Sequence, residues 1–583
     1  LNDRDEITFS AAQRALIDIP GGVFVQACPG AGKTQSIVER FIQRPGIGPR
    51  HGVALLSFTN AAINEARLRC AGRPELLRAP NFIGTIDSFI NRYVVTPLHR
   101  AKTGTLPTFK DSWETVQGTT FRANGVQSDL QLSWFSFDHE GKATFESKRA
   151  PYALRNLEFR QLSSMMTAAT RTWRRYFNNG LMDCTTSRAL MTHYLSDPAE
   201  RANHGSLIAG RFKEIIVDEV QDCSAQDAFL LNFLLDAGIE MVMVGDLDQA
   251  IYAFRGSTVD GVRSLARRVR PGARFNANYR SSPAVCALVN SLRHGASVDV
   301  PAGRWATDTT PVQVVEMTSF GTARDVAVQV ADHFGFEPSD IVTLAHTEHA
   351  AREGAGASPA PEKGTTNKLV RLANAAAAIQ DVHANTRIRT QAVQAFESLI
   401  RGLADEQHHA AADTDFCNLI GLTHRAFREG IVRLANRAAP FSGSPSQFRE
   451  QIRQGLAAFG WDNWADASAL RSPNGNTWPQ VAKDDADALR WSTIHSFKGL
   501  QAPVIAMTIP APFRNAKTLD GVGLWQAGMD GEARRVLYVG ASRAERLSIL
   551  LVDASQYATV VACLQRDAVP FARWTQTSDS RAA

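Results

Sequence analysis

The sequence predicts an α/β fold with two parallel-sheet cores, each interrupted by a largely helical insertion, and three observations carry that prediction. Short β-branched or apolar runs, bounded by small or charged residues, recur between helical stretches, as in strands buried on both faces of a parallel sheet. These runs fall into two sets that are far apart in the chain. A glycine-rich loop directly follows the first run. The length of 583 residues points the same way, because about 150 residues per domain makes a single core improbable.

Taken in order, the first set is Val23 to Gln26, Val53 to Phe58, Ile215 to Val217 and Met241 to Val244. The second is Val312 to Val315, Ile341 to Leu344, Val504 to Thr508 and Leu547 to Asp553. The expected division is 1–92 with 206–270 for the first core and 271–353 with 488–574 for the second. The insertions are 93–205 and 354–487, and 575–583 reads as a frayed tail. In the first insertion Arg171, Trp173, Arg174, Arg175 and Tyr176 interleave basic and aromatic side chains. Their ordinary reading is a helix with a solvated basic face and inward aromatics. The second insertion opens on the small-residue stretch Glu353 to Pro361. It then turns helical, with Ala392, Phe396, Leu399 and Ile400 near helical period.

Composition excludes several classes. Apolar residues at 44% and charged residues at 21% suit folded globular material, and a net charge of +5 is too mild to name a partner. The seven cysteines (Cys28, Cys70, Cys184, Cys223, Cys286, Cys417 and Cys563) lie too far apart for a metal cluster and read as reduced thiols. No apolar run approaches the roughly 20 residues of a membrane span. The opening Leu1-Asn2-Asp3-Arg4-Asp5-Glu6 has no basic stretch leading into an apolar one, so a cytoplasmic location and no membrane contact are expected.

The loop after the first strand is Ala27-Cys28-Pro29-Gly30-Ala31-Gly32-Lys33-Thr34, with Gln35 to Phe41 helical beyond it. Gly30 and Gly32 allow a tight turn that aims successive amides at a phosphate, and the next helix adds its N-terminus. Lys33 would reach the β- and γ-phosphates, and Thr34 would place its hydroxyl on Mg²⁺. Ala27 stands where the strict pattern has glycine. At the end of the run Ile215 to Val217, Asp218 would hold the metal, and Glu219 would take a proton from an attacking water.

With these residues in place, the ordered strings from Gln13 to Arg543 resemble the UvrD/Rep/PcrA-type superfamily 1A DNA helicases. The resemblance implies two RecA-like cores, ATP and Mg²⁺ as cofactors, and movement on single-stranded DNA in the 3′ to 5′ direction. It implies that Gln13 reads adenine and that the loop Ala27, Cys28, Pro29, Gly30, Ala31, Gly32, Lys33, Thr34 and Gln35 lines the nucleotide. Leu56-Ser57-Phe58-Thr59-Asn60 is similar to a DNA-contacting string, as is the stretch around Thr85. In Val244 to Gly256, Gln249 would sense the γ-phosphate while Tyr252 and Phe254 stack on bases; the ordinary reading makes these aromatics core. Asn278-Tyr279-Arg280-Ser281 would supply an adenine-stacking tyrosine and the first arginine finger. Thr493 to Leu500 would place His495 at DNA, and Glu532 to Ala544 would supply Arg543 as the second finger. Partners implied are single-stranded DNA or a tailed or forked duplex.

The chain departs from that pattern at three positions. Asp87 replaces the usual histidine near DNA, Gln501 stands for a glutamate near ribose or the metal shell, and Gln35 replaces a basic residue. The second insertion is short, and about 40 residues follow Arg543, too few for the fused nuclease of RecB-like relatives. DNA cleavage would therefore need a separate nuclease subunit. Asn81 to Phe89 with Val94 to Pro97 also resembles the helicase-like B subunit of Gabija-type anti-phage systems, which works beside an OLD-family nuclease with a Toprim domain. That resemblance implies an alternative role as a nucleic-acid-sensing ATPase in defence.

Overall fold

The computed structural model describes residues 8–44, 50–116, 118–126, 130–150, 154, 157–252, 259–295, 297–357, 367–381, 386–404, 416–417, 419–440, 443–473, 478, 487–512 and 518–575. Twelve of its strands build two six-stranded sheets. In chain order they are β1 (Val23–Gln26), β2 (Gly52–Ser57), β3 (Phe82–Thr85), β4 (Phe212–Val217), β5 (Glu240–Gly245), β6 (Arg270–Pro271), β7 (Val312–Met317), β8 (Ile341–Ala345), β9 (Arg490–Thr493), β10 (Ala502–Ile509), β11 (Ala544–Asp553) and β12 (Phe571–Trp574). The first sheet runs β6-β1-β5-β4-β2-β3 and the second β9-β8-β10-β11-β7-β12. Every pairing within them is parallel. The α/β class with two parallel sheets is thus as the sequence predicts.

The eight runs singled out in the sequence are the eight inner strands. The four strands they miss, β3, β6, β9 and β12, are the sheet edges. An edge strand has one neighbour and a partly solvated flank, so it needs no unbroken apolar run. Arg490 and Arg573 accordingly face solvent in β9 and β12, whereas β4, β5 and β8 are buried almost throughout.

By packing, the chain divides into two compact units, 1–94 with 191–359 and 485–583, and 95–190 with 360–484. Both sheets lie in the first unit. Residues 191–205, expected in an insertion, pack with the first sheet's elements. His204 on the helix Pro198–Ala209 lies against Phe233 with ring centroids 6.4 Å apart and hydrogen-bonds the Tyr93 carbonyl at 2.7 Å. Within the second unit, the stretch 95–190 adds short two-stranded ladders to its helices and has an aromatic core around Trp113, Phe135 and Trp173. On the helix Phe159–Phe177, Met165, Ala169 and Trp173 recur every four residues and are buried, while Arg171, Arg174 and Arg175 face solvent. Trp173 stacks on Phe177 at 4.3 Å and on Phe137 at 5.4 Å. The interleaved basic and aromatic string is therefore an amphipathic helix. The stretch 360–484 buries Phe396 and Ile400 with Phe427, Ile431, Trp461 and Trp464. It meets the other half of its unit where Gln391 Nε2 donates to Glu114 Oε2 at 2.7 Å.

Six of the seven cysteines are buried and Cys184 is half-buried, with no disulfide among the described residues. Among the described residues no helix is long and apolar enough to cross a membrane.

One buried ion pair anchors the first sheet. Arg40, fully buried on the helix Lys33–Gln43, donates Nε and Nη2 to the Glu214 carboxylate of β4 at 2.9 and 2.5 Å. Its Nη1 donates to the carbonyls of Leu16 and Ile19, which close the helix Ala11–Asp18. Removing one partner of a buried pair strands the other charge, at a cost of about 3–5 kcal/mol. Arg44 lies 3.7 Å from Glu214 and can relieve part of it. We expect Arg40→Ala to destabilise the chain by about 3 kcal/mol, the low end of that range. A calorimetric scan with an unshifted first transition would contradict this.

Candidate phosphate-binding site

The site forms where β1, β4 and β5 end, at the carboxyl edge of the first sheet, the usual ligand edge of a parallel sheet. β1 delivers the loop 27–34. Gly30 and Gly32 adopt φ of +69° and +71°, which side-chain-bearing residues seldom tolerate. Space excludes a side chain as well. A Cβ on Gly30 would lie 2.6 Å from Arg280 Cβ and Asn278 Oδ1, and one on Gly32 would lie 2.7 Å from Gln13 Nε2. Gly32 caps the helix Lys33–Gln43, so that helix's unpaired amides open onto the loop. Cys28 is buried, its thiol pushed up by burial, and its amide donates to the Phe275 carbonyl at 2.9 Å. Pro29 and Ala31 are packed inward as well, while Gln35 is half-buried on the first helical turn.

β4 delivers the carboxylates. The Thr34 hydroxyl donates to Asp218 Oδ2 at 3.2 Å, and Lys33 Nζ lies 3.9 Å from Glu219 Oε1. Burial and the neighbouring Glu219 push Asp218 up to about 7. Burial would also raise Glu219, but Lys33, Lys498 and Arg543 more than offset it and hold that carboxyl below its usual range. Burial would likewise lower Lys33, yet Glu219, Asp246 and Asp218 keep its ammonium charged. Glu219 sits at φ +54°, a left-handed conformation that turns its side chain off the strand line.

The second sheet contributes cations. The Tyr279 amide donates to the Gly30 carbonyl at 3.0 Å, which sets Arg280 against the loop, and the Tyr279 ring is 38% exposed and available for stacking. Arg280 Nη1 donates to the Ser542 carbonyl at 2.9 Å. Arg543 Nη2 donates to Gln249 Oε1 at 3.1 Å and Ser542 Oγ at 2.7 Å. Burial lowers both guanidiniums, and the neighbouring Arg280 helps bring Arg543 down to about 9. Two further donors at the loop, Arg280 Nε and Asn278 Nδ2, are buried without an acceptor among the described residues.

These features test the fit of a nucleotide and its metal. A glycine cradle, orphaned donors and crowded cations suit a polyphosphate. The hydroxyl of Thr34 beside the carboxylate of Asp218 is a hard-oxygen pair of the kind Mg²⁺ takes when phosphates complete its shell. No cluster of three metal-ligating side chains exists among the described residues, and such a site needs none.

The structure also assigns partners that the sequence strings contain without marking. Gln221 bridges two functions: its Nε2 donates to Glu219 Oε2, and its Oε1 accepts the Asp246 amide at 3.0 Å. Asp246 accepts Gln249 Nε2 at 2.9 Å and the Tyr538 hydroxyl at 2.9 Å. Tyr538 in turn accepts Arg293 Nη2 at 2.5 Å, and Arg293 pairs with Asp299 and Asp248. Lys498 Nζ donates to Asp222 Oδ1 at 2.5 Å and to the Gln249 carbonyl at 2.9 Å. Asp246, Asp248, Lys498 and Tyr538 at least stand within the quoted strings, whereas Gln221, Asp222, Arg293 and Asp299 lie outside all of them and carry no such signal.

Of the other predicted positions, Gln13 touches the loop directly and the rest lie apart from its immediate contacts. Gln13 donates its amide to the Ala31 carbonyl at 2.9 Å. Gln501 donates to Glu545 Oε1 at 2.9 Å, and Glu545 acts on Arg280 electrostatically. Phe58 and Thr59 follow β2, Thr85 ends β3, and Thr59 and Thr85 each cap the helix that follows, the first opening at Asn60. His495 follows β9. Its Nε2 meets the Ile251 carbonyl at 3.1 Å, and the Tyr252 hydroxyl donates to the His495 carbonyl at 3.2 Å. Ile251 is core, and Tyr252 is half-buried against the same cluster. Phe254 lies outside the described residues.

Comparison with known proteins adds a family likeness. Residues 9–270 match the family model of the UvrD/REP helicase N-terminal domain. A probable DNA helicase of Mycoplasma pneumoniae is 25% identical over 303 residues, 48% of this chain and 54% of that protein. ATP-dependent DNA helicase UvrD1 of Mycobacterium leprae is 33% identical over 94 residues, 14% of this chain and 12% of that protein. ATP-dependent DNA helicase PcrA of Staphylococcus aureus is 27% identical over 150 residues, 24% of this chain and 20% of that protein. The chain thus spans about half the length of the first of these relatives and a smaller share of the other two.

Tyr538 is the test of the buried network. Tyr538→Phe keeps the ring but removes the hydroxyl between Asp246 and Arg293, leaving a buried carboxylate one donor short. The expected cost is about 1–3 kcal/mol. It would be read as a lower urea midpoint with unchanged slope, and a wild-type midpoint would refute the network's role.

Proposed function

We propose that this chain is an ATP-dependent DNA helicase motor: it hydrolyses ATP with Mg²⁺ and uses the energy to move along single-stranded DNA, in the 3′ to 5′ direction. The observation that carries this reading is the convergence on one carboxylate, Glu219, of cations from both sheets. Lys33, Lys498 and Arg543 hold it ionised, and Arg280 feels it as well. Such a cluster suits a triphosphate, whose charge shifts as its terminal group leaves. The match of residues 9–270 to a helicase domain supports the same reading.

In this mechanism Lys33 and the loop amides bind the β- and γ-phosphates. Thr34 and Asp218 would hold the Mg²⁺, which when bound would neutralise phosphate charge. Glu219 accepts a proton from the attacking water, and Gln249 contacts the terminal phosphate. Arg280 and Arg543, each held by a hydrogen bond to Ser542, stabilise charge on the transferring group. Because both fingers come from the second sheet's side, hydrolysis depends on how closely the two sheets approach, which couples turnover to cleft closure. Phe58, Thr59, Asn60, Thr85, Tyr252 and His495 stand at carboxyl ends of strands or just beyond, where they can follow a DNA strand by stacking and phosphate contacts. Base stacking is worth about 1–3 kcal/mol per base and is indifferent to sequence.

Single-stranded DNA should stimulate ATP hydrolysis, and chelation of divalent cations should stop it. Lys33→Ala and Glu219→Gln should each lower turnover by at least about a hundredfold, the scale of losing a transition-state contact. DNA affinity should fall as salt rises. Turnover that ignores DNA and survives both substitutions would rule out this function.

A further inference from the structure

We propose that the amino edge of the first sheet carries a docking site for an acidic peptide segment of a partner protein, in which Arg50 and Arg211 take carboxylates and Leu207 packs on an aliphatic side chain. The proposal is independent of the nucleotide-hydrolysing reading above.

A cavity of about 460 Å³ lies where β2 and β4 begin, at the edge of the sheet opposite the phosphate loop. Arg50 precedes β2, Ala79 and Pro80 precede β3, and Arg211 precedes β4, while Ser206 and Leu207 come from the last turn of the helix Pro198–Ala209. Backbone contacts hold these segments together. The Gly52 amide donates to the Arg211 carbonyl at 2.8 Å, and a Cβ on Gly52 would collide with the Pro80 carbonyl.

The charge of the lining is one-sided, with two arginines and no acidic side chain. The Arg211 guanidinium stands over the Tyr93 ring at 5.2 Å and the Phe212 ring at 5.4 Å, and its Nη2 donates to the Tyr93 hydroxyl at 3.4 Å. Its Nε is buried without an acceptor, and neither Arg50 nor Arg211 forms an ion pair, among the described residues. A guanidinium steadied by aromatic rings and a neutral hydroxyl keeps charge available for a carboxylate. Arg78 and Lys213, exposed beside Ala79 and just beyond Arg211, add to the positive field.

The end of the helix decides which anion fits. The Ser206 and Ile208 carbonyls accept the Gly210 and Arg211 amides, whereas those of Leu207 and Ala209 have no partner among the described residues. A helix C-terminus carries partial negative charge and open acceptors. It disfavours a phosphodiester backbone, which has no donor to offer, but suits a peptide, whose N–H groups alternate with its side chains. Leu207 is 71% exposed, and with Ala79 and Pro80 it supplies apolar surface for an aliphatic residue between the acids. The volume suits a few side chains, near the low end of the roughly 300–1,000 Å³ of ordinary binding pockets. A partner seated here leaves the carboxyl edge of the same sheet open.

Fluorescence anisotropy on the full chain, with a fluorescein-labelled peptide of alternating aspartate and leucine as probe, tests the proposal. The wild-type chain should bind the peptide saturably, with micromolar affinity. Arg50→Glu and Leu207→Asp should each weaken binding about tenfold or more, the scale of one charge-assisted hydrogen bond or one buried aliphatic side chain. Both positions are exposed, so the thermal transition should stay in place. The same peptide with asparagine for every aspartate should also bind about tenfold more weakly or worse. Absence of saturable binding would overturn the proposal, as would equal binding of the asparagine peptide or indifference to both substitutions. If Arg50→Glu lowered affinity for an oligothymidylate and left the peptide's unchanged, the surface would be a nucleic-acid track instead. Should a variant shift the thermal transition, the comparison of the two peptides on the wild-type chain decides.

Discussion

The carboxylate of Asp246 is the point on which the rest of the site depends. It is fully buried, and a buried carboxylate is tolerated only when its oxygens are saturated with donors. Its donors come from separate parts of the chain. Gln26 Nε2 at 3.2 Å comes from the end of β1, the Asp248 amide at 3.2 Å and Gln249 Nε2 at 2.9 Å from its own loop, and the Tyr538 hydroxyl at 2.9 Å from the helix Glu532–Ala541 beside the second sheet. Satisfying one anion therefore fixes the carboxyl edge of the first sheet against a helix of the second. Because Gln249 Nε2 points at Asp246, its oxygen is left to face Arg543. On the backbone side, the Asp246 amide holds Gln221, which holds Glu219. Glu219 and Arg543 are thus positioned from the two ends of the same residue.

The segment 246–252 carries this link further. By covalent connection it continues β5 of the first sheet, but by packing its far end belongs to the second. Ile251 is buried in the second sheet's core cluster. The carbonyls of Gln249, Ala250 and Ile251 are taken in turn by Lys498, Arg535 and His495. With three successive carbonyls bonded to second-sheet elements, the segment cannot shift at Gln249 without shifting at Tyr252, which bonds the backbone of His495. Gln249 and Tyr252 are thereby mounted on a single short strap. This is the geometric condition for transmitting a change at one to the other.

How much of this could be read beforehand depended on how local the signal was. Inner strands announce themselves because burial on both faces forces continuous apolar runs such as Ile215 to Val217. Edge strands such as Arg490–Thr493 carry no such demand, so the sheets were legible from their centres outward. The loop 27–34 and the pair Asp218 and Glu219 were legible because their chemistry needs neighbouring residues at fixed spacing. The bond from Tyr538 to Asp246 joins residues 292 positions apart, and no spacing rule reaches that far. The left-handed turn at Glu219 was equally silent, since nothing in Val217-Asp218-Glu219-Val220 demands a positive φ. On Phe159–Phe177, by contrast, the interleaving of basic and aromatic residues from Arg171 to Tyr176 was enough to expect a basic face outward and aromatics inward, and Trp173 is buried there while Arg171, Arg174 and Arg175 face solvent.

The mild net charge of +5 also takes on a different meaning once burial is known. A surface charge acts through water and salt and is screened within about 10 Å at ordinary ionic strength. Lys33, Arg543 and Lys498 are withdrawn from solvent and Arg280 is half-buried, so the effective dielectric is lower and each charge acts more strongly on its neighbours. Burial disfavours the charged forms of Arg280 and Arg543, the latter also through repulsion by Arg280, while Glu219 favours both and Glu545 favours Arg280. A polyphosphate beside them would reverse both effects, supplying charge and the acceptors that Arg280 Nε and Asn278 Nδ2 lack. Four well-placed cations thus outweigh the average of the whole surface, which is why composition was silent about an anion that this site suits by charge and shape.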